Sequence, residues 1–186
     1  MKNKNIKEKI KEYFFINPSI KLRVRQIERE LKIPLPSVIR YVDELEKEGI
    51  LKKEKTGEVT FYSADRSSKN FLLEKKLFNI KSLYNSELID FLVKELSNPT
   101  IVVFGSFSKG EDIEGSDIDI YLETPSKEKI NLEKFEKRLK RKIQNFNYSS
   151  IQKVPNHHLR NNILNGIILN GFVEVFWWKN FPGMIV

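Results

Sequence analysis

The stretch that most constrains the fold of this chain runs from Ile101 to Ile120. It begins with Ile101–Phe104, a short apolar run of the length that fills a buried strand. Gly105 permits a tight turn and a close approach of the backbone to a ligand, and Ser106 is expected to cap a following helix. Free N–H groups at the start of a helix favour an anion, so this turn is a candidate phosphate site.

Two aspartates follow in a second predicted strand, Ser116–Leu122. Asp117 and Asp119 are two residues apart, so both side chains leave the same face, with Cα atoms roughly 6.6 Å apart at about 3.3 Å per residue. Carboxylates so placed can hold Mg²⁺, which prefers oxygen ligands. A phosphate site beside paired carboxylates suits metal-assisted chemistry on a nucleoside triphosphate. On its own, an Asp-x-Asp pattern is also typical of a solvated strand edge.

The combination of the two features carries a resemblance. Gly105-Ser106, a spacer that contains Gly110, and Asp117-Ile118-Asp119 resemble the signature of the DNA polymerase β-like nucleotidyltransferase superfamily. The spacing is similar to that of minimal nucleotidyltransferases, some of which act as antitoxins that adenylylate a partner protein. The resemblance covers roughly residues 98–176.

This resemblance implies roles for five residues. The expected partner is a nucleoside triphosphate, which would be bound by Gly105, Ser106 and Lys109. Asp117 and Asp119 would be the catalytic residues and the ligands of Mg²⁺, the expected cofactor.

One departure from the family pattern bears on activity. The superfamily supplies a third carboxylate from a later strand, and here the next predicted strand is Lys142–Tyr148, which lacks Asp and Glu. By position Gln144 stands where that carboxylate is expected, and Glu174 is the nearest alternative by chain order. Because loss of a general base costs a factor of about 10²–10⁴ in rate, we expect weak turnover or none. The alternative is an active Mg²⁺-dependent transferase that moves a nucleotidyl group to a protein or nucleic acid.

The N-terminal third predicts a second kind of domain. Apolar spacing indicates three helices, and two β-like runs flank a turn at Lys55–Glu58. This order resembles a winged helix-turn-helix over roughly residues 5–66, which implies that duplex DNA is a partner. The predicted segments are Ile6–Phe15, Arg23–Leu31, Pro36–Glu48, Ile50–Glu54 and Val59–Tyr62.

Charge supports a polyanionic partner for this domain. Residues 1–70 carry 17 basic and 11 acidic residues, a net of +6, out of +8 for the whole chain. The acidic side chains of the third helix weaken this interpretation, and a solvated surface on a dimerisation domain is the alternative. The resemblance assigns DNA contact to Arg23, Arg25, Ser37, Arg40, Lys47, Lys52, Lys53 and Lys55.

The whole chain is therefore predicted to be α+β. Residues 1–66 form the winged helix-turn-helix, with three helices plus a β-hairpin, residues 67–97 form connecting helices, and residues 98–186 form a nucleotidyltransferase-like α/β domain with a mixed sheet. Within the last domain, Leu132–Lys142 is a predicted basic helix, and Ile167–Asn170 with Phe172–Trp178 is a predicted terminal β pair.

Composition narrows the remaining classes. The absence of cysteine excludes thiol catalysis and thiolate zinc sites, and it fits a cytoplasmic location. Without an apolar run of 18 residues or a signal-peptide pattern, no membrane partner is expected. A homodimer and a partner protein stay open. The leading interpretation is a DNA-binding regulator whose second domain binds Mg²⁺ and a nucleotide.

Overall fold

The computed structural model describes residues 6–126 and 130–175, which form two compact units. The first unit contains the described residues up to Lys81 together with Lys109–Ser116. The second contains Ser82–Ser108 together with the described residues from Asp117 onward. The domain boundaries predicted after residues 66 and 97 stay predictions. None of the helices in the described segments has the length and apolar character needed to cross a membrane.

The first unit combines three helices with a small antiparallel sheet of order β1-β3-β2. The helices pack around a core that includes Ile10, Phe14, Ile27 and Val38, each fully buried. These residues lie at helical spacing within their elements, which is the pattern that predicted the helices. The elements are α1 Ile6–Ile16, β1 Lys21–Leu22, α2 Val24–Leu31, α3 Leu35–Lys47, β2 Leu51–Thr56 and β3 Val59–Ala64.

The hairpin of this unit is longer than the sequence predicted. Thr56 pairs with Val59, so only Gly57 and Glu58 form the turn, and Gly57 has φ +60°. A two-residue turn with positive φ matches the twist of the flanking strands, which lets the ladder extend to the turn. The two-residue strand β1 pairs with β3, with Leu22 opposite Tyr62, and this strand was not predicted.

A buried ion pair holds the segment Lys109–Ser116 in the first unit. The next helix, α4, spans Lys69–Asn85, and its Lys75 Nζ lies 3.0 Å from Asp112 Oδ1. The two side chains are 0% and 1% exposed, and Asn79 Nδ2 donates to the same carboxylate at 2.7 Å. Gly110 has φ +76°, and a Cβ there would lie 2.5 Å from the carbonyl oxygen of Leu72. Packing of Lys109–Ser116 on α4 therefore requires both a glycine at position 110 and the ion pair between Lys75 and Asp112.

The second unit is built on a four-stranded sheet of order β6-β5-β4-β7. Strands β5 and β6 are parallel and the other neighbours are antiparallel, which confirms the predicted mixed sheet. The elements are α5 Leu88–Glu95, β4 Thr100–Phe104, α6 Gly105–Lys109, β5 Ile118–Glu123, α7 Glu133–Leu139, β6 Ile143–Tyr148, the 3₁₀ turn Ile151–Lys153, α8 His157–Leu164 and β7 Ile167–Asn170.

Both faces of this sheet are apolar. One face packs Val102, Phe104 and Tyr121 against residues of the 3₁₀ turn and α8, among them Ile151 and Ile163. On the other face every central side chain is at most 1% exposed, which anchors β4 and β5 on both sides. Those side chains are Ile101, Val103, Ile118, Ile120 and Leu122.

Two predictions in this unit need correction. Residues 172–175 form no strand, because β7 pairs with β4 rather than with the following segment, and residues 176–178 lie outside the described residues. The helix predicted for Leu132–Lys142 covers only Glu133–Leu139, since Lys140 adopts a left-handed conformation and ends it. Asn156 caps α8, with its side chain accepting from the N–H groups of His158 and Leu159.

The ion pair gives a stability prediction. Replacing Asp112 with alanine leaves the Lys75 ammonium buried without its carboxylate, so we expect a loss of about 3–5 kcal/mol in the free energy of unfolding, measured by urea titration. The double variant Lys75→Met with Asp112→Leu serves as the control, and it should recover most of that loss because no charge stays buried. A loss below about 1 kcal/mol in the single variant would contradict this assignment.

Candidate functional site

The β4–β5 ladder brings the two halves of the Gly-Ser and Asp-x-Asp pattern together. Phe104 lies opposite Asp119 in this antiparallel pair, and Gly105 follows directly with φ +74°. A Cβ at Gly105 would lie 2.4 Å from Asp119 Oδ2, which is too close for any residue with a side chain at this position. The Asp119 carboxylate therefore rests on the backbone of the turn, and only glycine leaves it that space.

The two aspartates form an acidic pair. Asp117 is exposed and directly precedes β5, which begins at Ile118 and not at Ser116 as the sequence predicted. Asp119 is half-buried, and the pKa of its carboxyl is raised, first by loss of solvent and second by the charge of Asp117. Within residues 6–126 and 130–175, no hydrogen bond or ion pair reaches either carboxylate. This electrostatic arrangement favours a bound cation.

The turn itself is anchored by the short helix that it opens. Helix α6 begins at Gly105, so Ser106 lies in its first turn and is not the cap that the sequence predicted. The Ser108 hydroxyl donates to the Gly105 carbonyl at 2.9 Å, and Phe107 is buried beside it. Lys109 is exposed and belongs to the first unit, so its role in nucleotide binding stays a prediction.

Gln144 occupies the position next to Asp119 on the neighbouring strand. The parallel β5–β6 register pairs Asp119 with Gln144 directly. Phe146, two residues on from Gln144, contacts Phe104 with ring centroids 5.4 Å apart, which places this side of β6 on the face of Asp119. An amide therefore stands beside the acidic pair, as the sequence predicted from chain order.

Among residues 6–126 and 130–175, no other carboxylate completes the pair. In the described segments, no three histidine or acidic side chains are grouped closely enough to hold a metal ion. Glu174 is exposed, and its carbonyl oxygen accepts from Gln152 Nε2 at 2.8 Å. Two carboxylates fit a single Mg²⁺, which is commonly held by one or two carboxylates plus substrate phosphates. They provide no third carboxylate for a second ion.

The predicted DNA contacts divide into paired and unpaired side chains. Arg40 is 69% exposed, and its guanidinium lies 2.9 Å from Glu44 of the same helix. Lys52 lies 3.1 Å from Glu54, and Lys53 lies 3.9 Å from Asp43. Besides Arg23, three residues are exposed with no described carboxylate within ion-pair distance, and Ser37 is half-buried. The three are Arg25, Lys47 and Lys55.

Sequence reasoning missed one member of the basic set. Arg29 lines a groove together with Arg23 and Arg25, which precede it in and before α2. The signal was present in the sequence, because Arg25 and Arg29 are four residues apart and therefore lie on one helical face.

The basic helix α7 is engaged within its own unit. Arg138 donates to Glu87 Oε2 at 2.8 Å, and Lys134 Nζ lies 4.3 Å from the ring centroid of Phe91. The basic side chains of such a helix can form either a solvated face or the positive rim of a ligand cleft. These contacts favour the solvated face, since the basic side chains have partners nearby.

Comparison with known proteins identifies one domain. Residues 86–170 match the family model described as a nucleotidyltransferase domain. The matched range includes the Gly105 turn, both aspartates and Gln144, and it covers less than half of the chain. Neither curated proteins nor solved structures gave a match. A nucleotidyltransferase domain is therefore present over residues 86–170, which belong to the second unit except for Lys109–Ser116.

The raised pKa of Asp119 gives a prediction about stability. The folded state holds the Asp119 proton more tightly than the unfolded state, so stability falls as pH rises from about 4 through the raised pKa. Asp119→Asn removes this loss and should raise the melting temperature at pH 7, with no difference below about pH 4. Glu111→Gln, which alters an exposed carboxylate, is the control. A melting temperature at pH 7 below that of the natural chain would contradict this prediction.

Proposed function

We propose that the second unit binds a nucleoside triphosphate with one Mg²⁺ and transfers its nucleotidyl group slowly or not at all, in a regulator whose first unit binds duplex DNA. One observation carries the nucleotide part: the Asp119 carboxylate has no cationic partner in the described segments and rests on the Gly105 backbone. A carboxylate pair in this state favours a divalent cation, and the turn beside it is open to a phosphate.

Each residue of the site has a stated task in this proposal. Asp117 and Asp119 would hold the Mg²⁺, which when bound neutralises phosphate charge. Gly105, with no side chain, leaves the space that the Asp119 carboxylate occupies. Backbone N–H groups of the turn and the Ser106 hydroxyl would donate to the phosphates. Lys109 would pair with the phosphates from the end of α6.

Gln144 limits the chemistry. Transfer to an acceptor hydroxyl requires a group that takes the hydroxyl proton, and an amide at this position has neither negative charge nor a proton-accepting function at neutral pH. Binding does not depend on that group, because Asp117 and Asp119 hold the ion that accompanies the nucleotide. The register of Asp119 with Gln144 therefore supports binding with weak turnover.

An active transferase is the second candidate for the same site, and one observation favours it. The match of residues 86–170 to a nucleotidyltransferase domain favours it, because such a domain suggests nucleotidyl transfer. In that case the site would move a nucleotidyl group from the triphosphate to a protein or nucleic-acid acceptor.

The DNA-binding part is proposed for a winged helix-turn-helix in the first unit. The element order α1-β1-α2-α3-β2-β3, with β1 paired to β3 in a three-stranded sheet, supports it. The positive charge of residues 1–70 supports a polyanion as the partner. A cytoplasmic location, a partner protein and a homodimer stay predictions from the sequence.

Nucleotide binding is tested with a glycine pair. Gly105→Ala forces a Cβ against Asp119 Oδ2 in a left-handed backbone, so calorimetry should detect at least a tenfold loss of Mg²⁺-dependent nucleotide affinity, about 1.4 kcal/mol. Gly115→Ala is the matched control, because a Cβ there meets nothing within 4 Å. Asp117→Asn with Asp119→Asn should abolish the Mg²⁺ dependence. Equal affinity in the natural chain and the Gly105→Ala variant would contradict the site.

Turnover is tested at the neighbouring strand. Gln144→Asp restores a carboxylate beside Asp119 and should raise nucleotidyl transfer from a labelled triphosphate by about tenfold or more, within the range that a general base contributes. Asn145→Asp is the matched control, since the next residue along a strand points to the opposite face. Robust transfer by the natural chain that depends on Asp117 would favour the active transferase.

A further inference from the structure

Three arginines line a groove between the start of α2 and the hairpin strand β3. The groove is bordered by Arg23, Arg25 and Arg29 on one side and by Glu58, Val59 and Thr60 on the other. We call it the α2–β3 groove. All three arginines are exposed, and no carboxylate of the described segments lies within ion-pair distance of them. Their positive charge is therefore available to a ligand.

The groove exists because β1 is short. β1 pairs with β3 only through Lys21–Leu22, opposite Tyr62 and Ser63, while β3 begins at Val59. On this side the residues of β3 before Tyr62 have no neighbouring strand among the described elements. The chain leaves the sheet after Leu22 and opens α2 at the groove, and the Arg23 guanidinium lies 5.2 Å from the ring centroid of Phe61. This contact holds the first arginine against β3.

The exposed face of α3 differs from this groove. Helix α3 contains three carboxylates, Asp43, Glu44 and Glu46, against two cations, Arg40 and Lys47. Arg40 is neutralised by its ion pair with Glu44, and the same hydrogen bond lowers the pKa of Glu44, which keeps that carboxylate charged. A duplex approaching α3 would therefore meet an arginine that already has a carboxylate partner, whereas the groove arginines have none.

We propose that duplex DNA binds through its phosphate backbone in the α2–β3 groove and that α3 does not read bases. This inference rests on the proposed DNA-binding function of the first unit and specifies its contact surface. Phosphate contacts position a protein on DNA without carrying sequence information, so binding is insensitive to base sequence.

The spacing of the arginines fits this partner. Arg25 and Arg29 are four residues apart on one face of α2, about 6 Å along its axis, which is about the rise of two nucleotides of one DNA strand. Planar guanidinium groups donate two parallel hydrogen bonds to a phosphate, and neither of these two has a carboxylate to compete for them. Glu58, at the hairpin turn, also lines the groove, and its negative charge would repel a phosphate there.

The test compares two variants that lose the same charge. Arg25→Gln with Arg29→Gln changes the groove, and Arg40→Gln with Lys47→Gln changes α3. Fluorescence anisotropy of a labelled 20-base-pair duplex of arbitrary sequence, titrated at several salt concentrations, measures the affinity. The groove variant should bind at least about tenfold more weakly, and the slope of log affinity against log salt should be less steep by about 1.8, at about 0.9 for each lost phosphate contact. The α3 variant should change affinity less than twofold.

The remaining outcomes separate this inference from the proposal on which it rests. Glu58→Gln should tighten binding, and exchanging the duplex sequence should leave the affinity unchanged. Loss of binding in the α3 variant with retention in the groove variant would overturn the inference and leave DNA binding in place. Failure of the natural chain to bind any duplex, or a preference for single-stranded RNA, would overturn the DNA-binding function itself. Circular dichroism melting checks that each variant is folded. If the double variant is unstable, the single variant Arg25→Glu, at an exposed helical position, tests the effect of the groove charge on DNA affinity instead.

Discussion

The candidate site depends on one contact, the Asp119 carboxylate against the Gly105 backbone. The antiparallel register of β4 and β5 places these residues together, and both strands are anchored by side chains that are almost completely buried. A carboxylate held in this way cannot turn towards solvent as freely as one on a loop, and its pKa rises in consequence. The fold thus maintains a destabilising arrangement, as functional sites often do, because the rest of the sheet is rigid enough to support it.

The spacer between the glycine turn and the aspartates is held by a different set of forces. Asp112 is fixed by Lys75 and Asn79 in a buried polar cluster, and Gly110 packs on the backbone of α4. A buried ion pair contributes less to net stability than its geometry suggests, because both ions lose their hydration. It does define a single position for the segment, since any displacement would leave a charge buried without its partner.

The sequence predicted the features that have a local signal. Apolar spacing identified the helices and the strand Ile101–Phe104. Chain order indicated Gln144 as the residue at the position of the expected third carboxylate, and the strand register pairs it with Asp119. The features that were missed arise from contacts between distant residues. Asp112 and Lys75 are 37 residues apart, and no periodicity links them. Strand β1 has only two residues, too few to produce an alternating pattern, so the groove beside it could not be predicted.

The same electrostatics explains why an amide at position 144 would suit the proposed site for one ion. Asp117 and Asp119 together carry a charge that one divalent cation would balance, and burial first, then the charge of Asp117, already raise the pKa of Asp119. A third carboxylate in register with Asp119 would add to that repulsion in the unliganded protein, and only a second cation would compensate it. Gln144 avoids this cost while its side chain still offers an oxygen and two N–H donors to a ligand. With Gln144 at this position, the protein can be stable without ligand and still hold one Mg²⁺ as proposed. Activation of an acceptor hydroxyl, in contrast, would require the negative charge that the amide lacks.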